Sequence, residues 1–144
     1  MSARDIIHEP VKKALENDGW TVTDDPLIIR LGGRTARADL GAERTIGTDG
    51  LIGAIRDQEM IAVEIKSFLQ NSALAEFEKA LGQYLVYEIF LKETHSKRQV
   101  YLAVSEFVYT TLFQEPAFQV LLNHHRLRLI IVNLGMKKVV KWIE

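Results

Sequence analysis

Three short apolar runs constrain this 144-residue chain more than any other feature. Met60 to Lys66 (MIAVEIK), Gln99 to Val104 (QVYLAV) and Leu127 to Val132 (LRLIIV) are strand-length, and helical spacing fills the chain between them. Strands alternating with long helices predict an α/β fold, with a central mixed β-sheet flanked by helices on both faces. Before the first run, Leu27-Ile28-Ile29-Arg30-Leu31 and Arg34 to Leu40 flank Gly32-Gly33, the pattern of two strands joined by a two-residue hairpin turn. Asn133-Leu134-Gly135 turns the chain into a last strand, Lys138 to Ile143. Leu74, Phe77, Leu81, Leu85 and Ile89 lay down a helical stripe that Asn71 or Ser72 can cap, predicting a helix over about residues 72–94. Ile7, Val11, Ala14 and Leu15 predict another helix over residues 3–18, stopped by Gly19. Pro10 either kinks that helix or opens it with Glu9 near the N-cap. Glu106 to His125 reads as helical with an interruption at Pro116, and Gly47 to Gly53 as turns.

No cysteine is present, so a disulfide-stapled secreted scaffold is excluded. At this length the chain buries roughly two-thirds of its unfolded surface and needs no staple, so residues 1–144 are expected to form one domain. The longest stretch without Asp, Glu, Lys or Arg is the ten residues from Pro116 to His125, far short of the ~18 that a membrane span needs. With no membrane span and no apolar leader in MSARDIIHEP, a cytoplasmic location is the expectation. Lys and Arg total 18 against 19 Asp and Glu, which gives no general field for gripping nucleic acid. Any action on DNA must come from a local site.

That site is legible in Ile61-Ala62-Val63-Glu64-Ile65-Lys66. Alternate residues of a strand share a face, so Glu64 and Lys66 stand together, about 6.6 Å apart along the strand, opposite Ile61, Val63 and Ile65. Two charges at the end of an apolar strand carry a desolvation cost unless a metal or a reacting phosphate employs them. Asp39 ends the preceding strand, and neighbouring strands lie about 4.8 Å apart, so its carboxylate can share a divalent cation with Glu64. Phosphodiester hydrolysis needs a hard cation, Mg²⁺ or Mn²⁺, and hard cations take oxygen ligands. Asp39, Glu64 and the Ile65 carbonyl would supply them. Lys66 would hold or deprotonate the attacking water and offset transition-state charge, and Glu9 is a candidate outer carboxylate.

An isolated E-x-K is weak on its own, since about one chain in two of this length would carry one by chance. Its strand-end position is what gives it weight. A structural Glu64–Lys66 pair is the plainer alternative, as a helix-dipole partner is for Glu9 and a backbone-bonded amide is for Gln83. Glu43 reads as a solvated loop acid. His124-His125 are neighbours about 100° apart on a helix, a poor ligand pair.

Asp39, a spacer of 24 residues and Glu64-Ile65-Lys66 in a strand before a helix resemble the PD-(D/E)XK signature of restriction-endonuclease-like nucleases. Ala38 stands where that signature has Pro. Gln83, in Ala80-Leu81-Gly82-Gln83-Tyr84, is similar to the glutamine that resolvase and RecB-like branches carry. Along the whole chain, Asp5-Ile6 with His8-Glu9, Leu15 to Trp20, Asp39 to Glu43, Ala62 to Phe68, Ala80 to Tyr84, Tyr101 to Val104 and Trp142-Ile143 resemble the cyanobacterial XisH family of fdxN element excision controlling factor proteins. The resemblance implies a restriction-endonuclease-like fold. It further implies a DNA-acting role, with a recombinase and an XisI-type partner protein, in excising an element during heterocyst differentiation. The same resemblance admits a non-catalytic accessory factor that controls the recombinase. A chain this small would cut one strand, so a double-strand cut would need a homo-oligomer.

Overall fold

The computed structural model describes residues 6–46 and 57–144, and the expected turns between Gly47 and Gly53 lie outside them. In chain order the elements are α1 (His8–Asn17), β1 (Thr21–Asp24), β2 (Leu27–Leu31), β3 (Arg34–Ala38), β4 (Leu40–Ile46), β5 (Asp57–Ile65), α2 (Ala73–Glu93), β6 (Gln99–Ser105), α3 (Glu106–Thr110), a 3₁₀ turn (Leu112–Gln114), α4 (Pro116–His125), β7 (Leu129–Asn133) and β8 (Lys138–Ile143). Among the described residues, six strands form one mixed sheet in the order β1-β4-β5-β6-β7-β8, and β2 and β3 form a separate hairpin. β5, β6 and β7 run parallel, while β4 and β8 pair antiparallel with β5 and β7. Helices carry the chain between the parallel strands, as parallel pairing requires.

The alternation expected in β5 is realised, and each of its faces meets a different core. Ile61, Val63 and Ile65 pack with Val11, Ala14 and Leu15 of α1 and with Leu40, Tyr101 and Ile130. Ala62 packs on the other side with Phe77, Ala80 and Tyr84 of α2, with Leu27 and Ile29 of the hairpin, and with Phe113 and Phe118. Burial of each large apolar side chain is worth about 1.5–3 kcal/mol, so the sheet is clamped from both faces. β5, with neighbours on both edges and both faces, is the rigid platform for what its end carries.

Several expectations are refined. α1 begins at His8 and Pro10 lies in its first turn, where its missing N–H is one of the donors that no helix satisfies; the first bond, Val11 N–H to the Ile7 carbonyl, follows it at 3.0 Å. Pro116 likewise opens α4. Ser72 caps α2 by accepting from the Ala75 N–H at 3.1 Å. The buried face of that helix is rotated from the expected stripe: Phe77, Ala80, Tyr84, Tyr87 and Leu91 are buried, whereas Leu74 and Ile89 are 52% and 57% exposed. Small Ala80 lets the helix approach the sheet, and both tyrosine hydroxyls find partners, Tyr84 accepting from the Arg128 N–H at 3.1 Å and Tyr87 donating to the Arg37 carbonyl at 2.6 Å.

The run Arg34 to Leu40 is two strands, not one. β3 ends at Ala38 and β4 starts at Leu40, and the two residues fall in opposite cores. Asp39 is the hinge between them. Glu43, expected in a loop, lies in β4, 3.8 Å from Arg98, which also pairs with Asp24 at 3.2 Å. Gly41 leaves room beside it: a Cβ there would stand 3.1–3.2 Å from Asp24 and Arg98, whose side chains would have to shift by a few tenths of an ångström.

Candidate metal and phosphodiester site

The break at Asp39 explains the local geometry. Pairing of β4 with β5 begins at Leu40 opposite Val63, so beyond it the edge of β5 has no strand partner on that side. Asp39 substitutes for one: its Oδ2 accepts the Ile65 N–H at 2.7 Å. In a strand the N–H and C=O of one residue point to the same edge, so the Ile65 carbonyl is directed toward Asp39 as well. Glu64 is 4% exposed and reaches the same corner from the α2 face, where its Oε1 meets the Tyr87 hydroxyl at 3.0 Å. Its carboxyl lies near enough to that of Asp39 for each to act on the other's charge. Lys66 closes the group, with Nζ 3.5 Å from Glu64 Oε2 and a side chain 14% exposed.

The electrostatics follow from two acids in a dry corner. Burial pushes the Glu64 carboxyl up to about 8, the neighbouring Asp39 charge adds to the rise, and Lys66 and Tyr87 only partly oppose it. Asp39 is also raised by burial, against the Ile65 N–H, His8 and Lys66. Tyr87 is raised by its own burial and by the charge of Glu64. At neutral pH the metal-free pair therefore holds a proton. A cluster of hard oxygen donors that cannot carry its full charge alone is the donor set a divalent cation completes. Asp39, Glu64 and the Ile65 carbonyl fit Mg²⁺ or Mn²⁺ on that ground.

The other expected residues stand at different distances from this centre. Glu9 is exposed on the first turn of α1, and its ligand atom lies within 4.8 Å of those of His8 and Asp25, a second group able to hold a cation by spacing. Asp25 is tied at 2.8 Å to His8 Nε2 and at 2.9 Å to Lys12, and although burial pushes its carboxyl up, these bonds bring it below the usual range. Gln83 sits half-buried on α2, its amide oxygen buried without a hydrogen-bond partner among the described residues. Among the described residues no hydrogen bond joins Gln83 to Glu64; its neighbour one helical turn on, Tyr87, meets Glu64 instead. Two participants escaped the sequence reading. Tyr87 lies four residues after Gln83, a spacing that puts both on one helix face. His8 is buried, with Nδ1 unpartnered among the described residues and Nε2 on Asp25 at 2.8 Å.

Known proteins match this arrangement along nearly its full length. A family profile described as XisH protein matches residues 1–140. The crystal structure of an XisH family protein from Nostoc punctiforme PCC 73102 is 37% identical, with a TM-score of 0.81, covering 97% of this chain and 100% of that one. That of an fdxN element excision controlling factor protein from Anabaena variabilis is 36% identical, with a TM-score of 0.79, covering 98% of this chain and 100% of that one. No curated protein matches. A profile spanning nearly all of the chain, together with relatives of this identity and coverage, decides the assignment: the chain belongs to the XisH family.

Proposed function

We propose that the chain is a metal-dependent endonuclease of the restriction-endonuclease-like, PD-(D/E)XK type, acting on DNA in the excision of an element such as the one for which its Anabaena variabilis relative is named. The observation that carries this reading is the placing of buried Glu64 and half-buried Asp39, which accepts the Ile65 N–H, at one strand break, with Lys66 3.5 Å from Glu64. Beyond the Ile65 N–H that Asp39 satisfies, the fold gains little from the second acid, since Glu64 carries a desolvation cost beside it. Asp39, Glu64 and the Ile65 carbonyl would hold Mg²⁺ or Mn²⁺. The cation, when bound, would supply charge neutralisation of the scissile phosphate and a more acidic water. Lys66 orients the attacking water and offsets charge on the phosphorane-like transition state. Tyr87 fixes the Glu64 carboxyl from α2, and Glu9 contributes from α1 as an outer carboxylate. In this reading Gln83, one helical turn before Tyr87 on α2, orients substrate through its amide.

A second reading rests on the formal charge of −1, which gives no general grip on DNA. In it the chain is an accessory factor that binds an XisI-type partner and controls a recombinase. Substitution separates the two. Under the catalytic reading Lys66→Ala keeps Mn²⁺ binding and lowers cleavage about a hundredfold or more, the size of effect seen on removal of one electrostatic stabiliser, whereas Glu64→Ala loses both. Wild-type protein that nicks no linear, branched or supercoiled DNA with any divalent metal, and variants that leave excision in cells unchanged, would establish the accessory reading instead.

A further inference from the structure

Beside the carboxylate corner, at the C-terminal ends of β5, β6 and β7, opens a cavity of about 430 Å³, within the roughly 300–1,000 Å³ range of small-ligand sites. The chain passes from one to the other without a break: Lys66 belongs to the corner, and Ser67, Phe68 and Leu69 form the cavity wall. Phe68 holds φ 57, a left-handed backbone unusual for a bulky residue, and packs edge-on against Phe113 with ring centroids 5.3 Å apart. Across the cavity Phe107 is 73% exposed and Leu69 69%, so two large apolar side chains flank the opening. The polar part of the wall is Ser67, Ser105 and the pair Glu106 and Asn133, joined at 3.3 Å.

From this we infer that the cavity takes an unpaired base of the DNA strand whose phosphate lies at Lys66, so that the substrate is single-stranded, branched or locally opened DNA and not continuous duplex. The inference rests on the proposed catalytic reading for its phosphate, and on the cavity itself for its base. A nucleotide has an anionic phosphate next to a flat base with apolar faces and a polar edge. The chain supplies the complementary groups in succession: the Lys66 ammonium, then the Ser67–Leu69 wall of a cavity that Phe107, Glu106 and Asn133 also line. With no net positive charge to hold a duplex by its backbone, affinity has to come from the faces of the bases, which stack on aromatic rings only when unpaired.

The test uses the full-length protein in EDTA, with a single-stranded oligonucleotide carrying 2-aminopurine and the duplex of the same sequence as probes. The inference expects the single strand to bind with a change in 2-aminopurine fluorescence, Phe107→Ala to weaken that binding about tenfold or more, and Phe107→Trp to retain it. The duplex should bind more weakly and be indifferent to Phe107→Ala. Equal binding of strand and duplex, or no response to Phe107→Ala, would overturn it and leave the cavity to an apolar side chain of a protein partner. An RNA strand that competes as well as DNA would overturn the assignment to DNA. The two proposals fail separately: strand binding through Phe107 without metal-dependent cleavage removes the catalytic reading alone, and cleavage of duplex unaffected by Phe107→Ala removes the base site alone.

Discussion

At the scale of single residues, Glu64 is the most informative position. Its carboxyl in the folded chain is held at about 8 against an ordinary value of 4.5, chiefly by burial. A raised carboxyl favours the native state fully below 4.5 and loses that contribution as pH rises through about 8. Metal-free wild-type protein should therefore lose stability between pH 5 and pH 9, on the order of a few kcal/mol from this group, and Glu64→Gln should flatten the loss. Urea midpoints across that range measure it, and a wild type that gains on Glu64→Gln as pH rises would mean that the carboxylate is stabilised as an anion. Tyr87→Phe is expected to cost about 0.5–1.5 kcal/mol, because it removes the part-buried 2.6 Å bond to the Arg37 carbonyl. The Glu64–Lys66 alternation was legible because a strand has a fixed period of two. Tyr87 was not, since its role depends on how α2 is rotated over the sheet.

Elements show the same division. The hairpin was readable because Gly32 and Gly33, at φ 56 and 82, are what a two-residue turn with left-handed backbone demands. The separation of β3 from β4 was not, because nothing local in Arg34 to Leu40 marks Asp39 as the residue where the chain moves from one core to the other. The rotation of α2 is decided by fit, with small Ala80 fully buried among Phe77, Tyr84 and the sheet. Ala80→Leu should overpack that contact and cost about 1–3 kcal/mol, whereas Leu74→Ala, on the exposed side, should stay within about 0.5 kcal/mol of wild type. Equal effects in thermal melts would restore the stripe drawn from leucine spacing alone.

For the whole molecule, the sheet holds one strand rigid on both faces and at both edges, and places two acids and a lysine where that strand runs out. Metal binding should therefore be a property of the folded chain and should raise its melting temperature in proportion to occupancy. One copy carries one such corner, so dilute protein should convert supercoiled plasmid to nicked circles before linear product appears. The most direct test of the central claim is calorimetric titration of Mn²⁺ into the metal-free protein at pH 7 in two buffers of different ionisation enthalpy. The account predicts a saturable site that releases about one proton, since the cation must displace the one shared by Asp39 and Glu64, with binding abolished by Glu64→Ala and retained by Lys66→Ala. Binding that releases no proton and survives Glu64→Ala, or no binding at all, would contradict it.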